Sequence, residues 1–364
     1  MQIIKEIKYI FFNLIYKKPK IIINAKKNIH IKVKKIFFSN LDKYNVYKIE
    51  RGRVYSNTVS DTAYILDNKL IREASFQFRT KKNLKVINGR VSENIVLTKG
   101  TPNFKRKING SVLSLLTGGA GKNNYWHWMF DVLPRIAIFE KAALNNFPDF
   151  YLLPSSKQIY QKQCIVDLDI QHKKILDGEK IKHFECNILF VVDHPNVKKN
   201  NPSQAVENIP IWILKWLRKK YLPKVKIKRN YPKKIFISRE NDSNLDLRRI
   251  VNSSEVESFL ANMGFHIITL ANHSFNEQIS LFNNAKTIIG LHGAGFANMI
   301  FSKKKTNIIE IRSKDNGKAI KNLARKCGHN YKEILEKNIN LNLKHQNSHI
   351  KVNLNKLKKI IRSY

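Results

Sequence analysis

The chain has 364 residues, which is long for one domain and sufficient for two that each bury a hydrophobic core. Its 67 Lys and Arg residues against 27 Asp and Glu residues give a net charge of +40. The three cysteines lie far apart, which excludes a disulfide framework and a C-x-x-C metal site and indicates a cytoplasmic protein.

The positive charge is spread along the whole chain, mostly as lysine, and no motif of a nucleic-acid-binding domain accompanies it. Drift of the genome toward Lys, Ile and Asn codons, combined with a useful attraction to acidic membranes or anionic glycans, explains this pattern better than nucleic-acid binding does. We therefore expect no specific nucleic-acid partner.

Residues 1–44 are interpreted as a basic N-terminal segment that begins with an amphipathic helix. Six apolar residues recur at helical spacing with lysines between them: Ile3, Ile4, Ile7, Phe11, Leu14 and Ile15. The uncharged stretch 9–16 is too short to span a bilayer, and no signal-peptide cleavage site follows it. The helix is expected either to lie on the inner face of the membrane or to pack on its own domain.

Residues 45–210 are predicted to form an N-terminal domain that contains an unusual helix. Residues 123–136 read NNYWHWMFDVLPRI, and Pro134 is expected to kink this helix or to begin a new one. Four polar residues would share one helix face at spacings of three and four: Asn124, His127, Asp131 and Arg135.

A neutral histidine with a carboxylate one helical turn away is a workable general base with an orienting partner. The structural alternatives are a hydrogen-bonded core histidine at position 127 and a plain ion pair between Asp131 and Arg135. Trp126 and Trp128 carry too much apolar surface for a solvated helix, which brings the functional interpretation level with the structural one.

Two aspartates further along copy the D-x-D pattern of some metal-dependent transferases. Asp167 and Asp169 stand in CIVDLDIQH, a setting that predicts a helix end and a turn. We interpret both as structural and predict no metal site. The helix predicted at 211–221 carries Trp212 and Trp216 on one face and is expected to connect the domains.

Residues 211–345 are predicted to form a Rossmann-like domain, and 346–364 a basic C-terminal tail. Strands predicted at 234–237, 265–270, 287–289 and 307–311 alternate with helices. Ser254 with Glu257, and Ser274 with Glu277, predict capping boxes at two helix starts. This alternation predicts a parallel sheet whose ligands bind beyond the carboxyl ends of the strands, where Arg239 and Glu310 also fall.

The stretch 286–301, KTIIGLHGAGFANMIF, carries the clearest ligand signal. A buried strand ends in the turn His292, Gly293, Ala294 and Gly295, and a helix is predicted to follow. Unpaired N–H groups and the positive end of a helix suit a diphosphate. Asn298 stands where a dinucleotide fingerprint needs glycine, and the Walker Gly-Lys-Ser/Thr is absent. The alternative is a turn that uses glycine for geometry alone.

Taken in order, these motifs resemble glycosyltransferase family 61. The matching series is NYWHWxxDxLPR, then ISR followed by RRIVN, then FxEQIxLFxxAKxIIGxHGAGxxN, within a stretch from Val54 to Glu333. The resemblance implies a GT-B-like α/β fold: two Rossmann-like domains facing a cleft, with a nucleotide-sugar held mainly by the C-terminal one. It also implies inverting transfer of a hexosyl or pentosyl group without a required metal or cofactor.

Within that mechanism, His127 or Asp131 would deprotonate the acceptor hydroxyl, with Asn124 and Arg135 on the acceptor side. The diphosphate would bind to Arg239 and the turn His292, Gly293, Ala294 and Gly295. Gln278 and Asn298 would reach sugar or ribose hydroxyls. Glu310 would take the ribose, or would pair structurally with Arg312.

The expected donor is a UDP-sugar, and the expected acceptor is a glycan or lipid-linked glycan of a surface polysaccharide such as capsule or lipopolysaccharide. The alternative function is a non-catalytic basic protein that binds anionic glycans, membrane surfaces or nucleic acid.

Overall fold

The structure is a computed structural model that describes residues 2–58, 61–80, 86–116, 120–142, 147–196, 205–226, 230–239, 248–339 and 349–364. The chain divides into two compact units, Met1–Val206 and Glu207–Tyr364. Each unit combines helices with a sheet that contains parallel strands, so the predicted α/β class is confirmed.

The first unit is built on a large mixed sheet. Its strands are β1 (Ile21–Ile23), β2 (Ile31–Phe37), β3 (Lys43–Glu50), β4 (Arg53–Thr58), β5 (Asp61–Leu66), β6 (Lys69–Ile71), β7 (Phe76–Thr80), β8 (Val86–Asn88), β9 (Arg106–Ser114), β10 (Phe150–Leu153), β11 (Ile175–Asp177) and β12 (His183–Val192). Its helices are α1 (Gln2–Tyr16), α2 (Ile95–Lys99), α3 (Tyr125–His127), α4 (Pro134–Ala142) and α5 (Ile159–Val166).

Strand β12 lies at the centre of this sheet. It pairs in parallel with β9 and antiparallel with β3 and β4. Phe184, Leu189 and Val191 of β12 are buried in the core of this unit. The pairing of β12 with β3 continues to the last residue of the strand, Val192, and this places the residues that follow it.

The second unit contains a five-stranded parallel sheet in the order β14-β13-β15-β16-β17. Its strands are β13 (Lys234–Ile237), β14 (His266–Ile268), β15 (Thr287–Leu291), β16 (Asn307–Ser313) and β17 (Asn330–Glu336). Its helices are α6 (Ile211–Tyr221), α7 (Ser253–Asn262), α8 (Phe275–Asn284), α9 (Ala319–Cys327) and α10 (Leu354–Arg362). Ile288 and Ile289 are both fully buried although successive side chains point to opposite faces, so both faces of the sheet are covered.

Several elements differ from the sequence prediction. The capping box predicted for Ser254 and Glu257 is wrong: Asn252 is the N-cap of α7, and the carboxylate of Glu257 accepts a hydrogen bond from the hydroxyl of Ser238 at 2.6 Å. The capping box of Ser274 and Glu277 on α8 is confirmed. The helix predicted after the turn is a 3-10 helix, Ala294–Phe301, which winds more tightly than an α-helix and begins directly after Gly293. We call the residues His292–Gly295 the glycine turn.

The two chain ends contribute to the packed units. Strands β1 and β2, from the segment interpreted as a basic N-terminal extension, belong to the first sheet. The region interpreted as a basic C-terminal tail contains α10, whose Leu357 is fully buried in the core of the second unit. In α10 the lysines are exposed while Leu357 is buried.

Candidate functional site

The helical segment that carries His127 is made of three short pieces. Asn124 is the N-cap of α3, and its Oδ1 accepts hydrogen bonds from the N–H groups of Trp126 at 3.0 Å and His127 at 3.4 Å. Trp128–Val132 then forms a π-helical turn. A new helix begins at Pro134, where the missing N–H costs no helical hydrogen bond. Of the two expectations for Pro134, the one in which a new helix begins there is confirmed. The π-helical turn before it was not predicted.

The π turn brings His127 and Asp131 into contact. Nδ1 of His127 donates to Oδ2 of Asp131 over 2.5 Å. Nε2 of His127 has no hydrogen-bond partner among the residues that the structure describes, and the side chain is 20% exposed. Because Nδ1 carries the proton that Asp131 accepts, Nε2 of the neutral ring is a lone-pair acceptor. The arrangement is that of a general base with an orienting carboxylate.

Asp131 is held by further groups that follow β12. Its Oδ1 accepts from Nδ2 of Asn196 at 2.6 Å, and Nε2 of His194 lies 3.8 Å from its Oδ2. Nδ1 of His194 accepts from the backbone N–H of Asn196 at 3.1 Å, so the proton of the neutral ring is on Nε2, facing Asp131. The carboxylate thus lies between two imidazoles and one amide.

The charges of this cluster shift the pKa values in opposite directions. Burial acts to lower the pKa of His127, but the charge and hydrogen bond of Asp131 outweigh it and raise that pKa. Burial acts to raise the pKa of Asp131, but His194, His127 and Asn196 lower it overall. Burial, with the charges of Arg135 and His127, lowers the pKa of His194 to about 4 against the attraction of Asp131. Asp131 is ionised at neutral pH, and His194 is neutral.

The other two polar residues of the predicted stripe have local partners. Asn124 caps α3, as described above. Arg135 is buried, and its Nη1 donates to the carbonyl of Val192 at 2.7 Å, which ties α4 to the end of β12. No direct ion pair joins Arg135 to Asp131 among the described residues. Contact of Asn124 or Arg135 with an acceptor stays a prediction.

His194 and Asn196 were not identified from the sequence. Asn196 lies 65 residues from Asp131 along the chain, with His194 just before it, and only the position of β12 brings the two residues to Asp131. The sequence pattern that could have identified them is the stretch Asp193–Asn196, in which three of the four residues are polar, directly after an apolar strand. Polar residues at the end of a buried strand are candidates for a site.

In the second unit, the glycine turn lies against two arginines. A Cβ built on Gly293 would lie 1.9 Å from Nη2 of Arg239, so the guanidinium occupies the space that a side chain would need. Nη1 of Arg248 donates to the carbonyl of His292 at 2.6 Å. Burial lowers the pKa of Arg248 to about 10, the charge of Arg239 adds to this, and Glu310 opposes it. Two guanidinium groups therefore converge on one turn at the carboxyl edge of the sheet.

The turn also offers backbone donors. The 3-10 helix starts at Ala294, and the first N–H groups of such a helix have no carbonyl partner within it. With Arg239 and Arg248 beside it, this helix start is an electropositive site suited to a compact anion. The sequence predicts no role for Arg248 beyond its place in the RRIVN motif, because residue spacing does not show its contact with His292.

A buried array fixes His292 behind the turn. Nδ1 of His292 is hydrogen-bonded to Oε1 of Glu310, which is fully buried, and the hydroxyl of Tyr331 donates to Oε2 of Glu310 at 2.5 Å. Burial lowers the pKa of His292; Glu310 opposes the shift, and Arg248 and Arg312 reinforce it. Arg312 pairs with Glu333 at 2.9 Å. Glu310 thus orients His292, and its predicted contact with ribose stays a prediction.

Gln278 and Asn298 use their amides inside the unit. Asn298 is fully buried and donates to Oε1 of Gln278 at 2.8 Å, while Nε2 of Gln278 donates to the carbonyls of Leu270 at 2.9 Å and His273 at 3.1 Å. These bonds fix the 3-10 helix to the start of α8. Their predicted contacts with sugar or ribose hydroxyls stay predictions.

The described residues contain no group of three or more His, Cys, Asp and Glu side chains arranged to hold a metal ion. Asp167 caps the end of α5, and Asp169 has a positive φ of 63° in the turn that follows. The interpretation of the D-x-D pattern as a helix end and a turn is confirmed.

The chain is similar to a known protein family. Residues 125–309 match the family model Glycosyltransferase 61, which covers half of the chain and includes both the His127–Asp131 pair and the Gly293 turn. No curated protein matches the chain significantly.

Proposed function

Since the chain belongs to glycosyltransferase family 61, we propose that it transfers a sugar, with inversion, from a nucleotide-sugar to a glycan acceptor in surface-polysaccharide biosynthesis. The observation that carries the proposal is the hydrogen bond between His127 and Asp131, which leaves Nε2 of His127 as an acceptor on a partly exposed side chain. A protein that only binds glycans would have no need for such a base.

On the donor side, the leaving group is a nucleoside diphosphate that gains negative charge as the sugar departs. Fixed donors that meet this charge lower the barrier. Arg239 and Arg248 supply guanidinium groups that suit phosphate oxygens, and the start of the 3-10 helix supplies backbone N–H groups. We propose UDP as the nucleotide carrier and no cofactor or catalytic metal.

On the acceptor side, we assign the general base to His127. Asp131 is 6% exposed and both its oxygens already accept hydrogen bonds, so it is poorly placed to take a further proton. Nε2 of His127 takes the proton of the acceptor hydroxyl while the oxygen of that hydroxyl attacks the anomeric carbon of the donor sugar. The bond from that carbon to the diphosphate oxygen breaks on the opposite face, and the nucleoside diphosphate leaves. Asp131 stabilises the imidazolium that forms.

The first unit is thus proposed as the acceptor-side domain and the second unit as the donor domain of a GT-B-like enzyme. The parallel sheet of the second unit supports its part of this proposal, because ligands of such sheets bind beyond the carboxyl ends of the strands. Arg239 and the Gly293 turn lie at that edge, and Glu310 stands within β16 beside Gly290 of β15.

The test is a thermal-unfolding screen against UDP-, GDP-, CMP- and TDP-sugars, followed by product analysis with the sugar that stabilises most. A ligand at one hundred times its Kd should add about 2.7 kcal/mol to the free energy of unfolding. The anomeric configuration of the product, read by NMR, should be the inverse of the donor's. Stabilisation by anionic glycans alone, with no response to any nucleotide-sugar, would instead support the non-catalytic alternative.

A further inference from the structure

One face of α1 is apolar and exposed along its whole length. Six large side chains of this face are exposed: Ile4, Ile7, Ile10, Phe11, Leu14 and Ile15. At 100° per residue these positions fall within one stripe of the helix. The side chain of Ile3, which the sequence placed in the same stripe, lies outside the described residues. An apolar surface of this extent is typical of a binding surface.

The opposite face of α1 anchors the helix to the first unit. Phe12 is 5% exposed, and its ring lies 4.9 Å from that of Phe104. The ring of Tyr16 lies edge-on to His183 at 5.1 Å, and its hydroxyl accepts from the N–H of Lys105 at 3.0 Å. Asn13 donates to the carbonyl of Lys99 at 3.5 Å. The helix is therefore already packed on its domain, and the exposed stripe is not required for that packing.

The surroundings of the stripe are basic. The single acidic residue of α1 is Glu6, while Lys8 is exposed on the helix and Lys17 and Lys20 are exposed just after it. Phe104 is also exposed and lies 6.5 Å from Phe11, which extends the apolar surface, and the exposed Arg106 and Lys107 follow it in the chain. An apolar helix face suits the acyl chains of a bilayer, and cationic residues around it suit anionic lipid headgroups.

We propose that α1, together with Phe104, binds the surface of an anionic bilayer, with the stripe from Ile4 to Ile15 in the acyl boundary and the lysines among the lipid headgroups. The helix lies along the surface: among the described residues no helix is long and apolar enough to cross a membrane. The proposal concerns where the chain works and stands apart from its chemistry, although it would place the active protein beside lipid-linked acceptors.

The test is co-sedimentation of the full chain with vesicles of phosphatidylcholine alone and with one third phosphatidylglycerol. The chain should bind the second kind, and raised salt should weaken the binding. Ile7→Gln with Leu14→Gln, at positions 60% and 78% exposed, should weaken the partition coefficient at least about tenfold. The matched control, Ile29→Gln with Leu41→Gln, changes two residues outside α1 that are more exposed still, at 87% and 82%, and should bind like the parent chain.

Phe104→Gln tests a residue outside the helix and should weaken vesicle binding by a smaller factor. Because the ring of Phe104 also packs against Phe12, this variant should lower the melting temperature slightly. Unaltered vesicle binding in the Ile7 and Leu14 double variant would overturn the proposal. The proposal would also be overturned if the chain bound neither kind of vesicle and formed a dimer that the double variant dissociates. The stripe would then be the contact surface with a second copy of the chain.

Discussion

The guanidinium of Arg239 lies against the Cα of Gly293, in the space that the Cβ of any other residue would fill. Gly293 has φ 172°, an extended value open to all residues, so the glycine is required by this close approach and not by backbone freedom. The arginine follows β13 and the glycine follows β15, and these strands are neighbours in the sheet.

Replacing Gly293 should therefore weaken nucleotide binding by displacing Arg239. Gly293→Ala and Arg239→Gln should each reduce the affinity for the nucleoside diphosphate about 10- to 100-fold, the value of one lost charge-assisted hydrogen bond. The double variant should bind no worse than either single variant, because both remove the same contact. Isothermal titration measures all three. Additive losses would show that the two residues act separately, and unchanged affinity in a folded Gly293→Val variant would contradict the site.

At the other site, loss of the base should reduce turnover without changing donor binding. His127→Ala should lower kcat by ~10²–10⁴-fold, and Asp131→Asn by less, because Asp131 acts through His127. Asn124→Ala removes the cap of α3, which costs about 1 kcal/mol of stability, and should leave kcat near that of the parent chain. A raised KM for the acceptor in this variant would support the predicted contact of Asn124 with the acceptor. If Asp131→Asn is the more damaging variant, Asp131 is the base.

The pH dependence of kcat/KM should identify the same residue. His127 must be deprotonated to act, and Asp131 raises its pKa above the ordinary value of 6.5, so activity should fall as the pH drops through a pKa above 6.5. Asp131→Asn removes the charge that raises this pKa and should move the acid limb to lower pH. An acid limb that stays in place would mean that another group titrates.

His194 should make the first unit sensitive to acid. Its pKa in the folded chain is lowered to about 4 from 6.5, so the unfolded chain binds a proton at a higher pH than the folded chain does. The free energy of unfolding should therefore fall as the pH drops from 6.5 towards 4, by roughly 3 kcal/mol for this group.

His194→Asn, which can still accept from the N–H of Asn196, should remove that part of the loss in urea unfolding measured at several pH values. His183 has its pKa lowered to about 4 by burial as well and remains in the variant, so the dependence should be reduced and not abolished. Identical pH profiles for parent and variant would show that the pKa of His194 is the same in the folded and unfolded chains.

Transfer should continue in EDTA. Cationic side chains and backbone N–H groups are assigned to the diphosphate, so no divalent ion is needed to meet its charge. The rate should match that of a sample supplied with Mn²⁺. Complete loss in EDTA with recovery on adding Mn²⁺ would require a different donor site.

Local patterns predicted the second unit well. Apolar runs gave β13, β15 and β16, and the cap of α8 needs only residues three apart, Ser274 and Glu277. The same pattern failed at Ser254 and Glu257 because Glu257 accepts from Ser238, which lies 19 residues earlier and reaches it only through the fold. Sequence spacing could not predict a bond made by a competing tertiary partner.

At the His127 site, too, the local contact was predicted from the sequence and the long-range contacts were not. The contact of His127 and Asp131 follows from a spacing of four, which α and π turns both place on one face, so the pair was predicted while its helix type was not. The approach of His194 and Asn196 depends on the pairing of β12 with β9 and β3. Long-range strand pairing is not encoded in any local pattern that the sequence shows.

The polar cluster behind His127 also has an evolutionary consequence. Asp131, Arg135 and Asn196 are buried in the first unit, and Nε of Arg135 and Oδ1 of Asn196 have no hydrogen-bond partner among the described residues. Apolar side chains of similar volume would commonly stabilise such a position. A descendant of this chain that lost its chemistry would thus gain stability by filling the cluster with leucine or methionine, and the cluster would be the first part of its core to change.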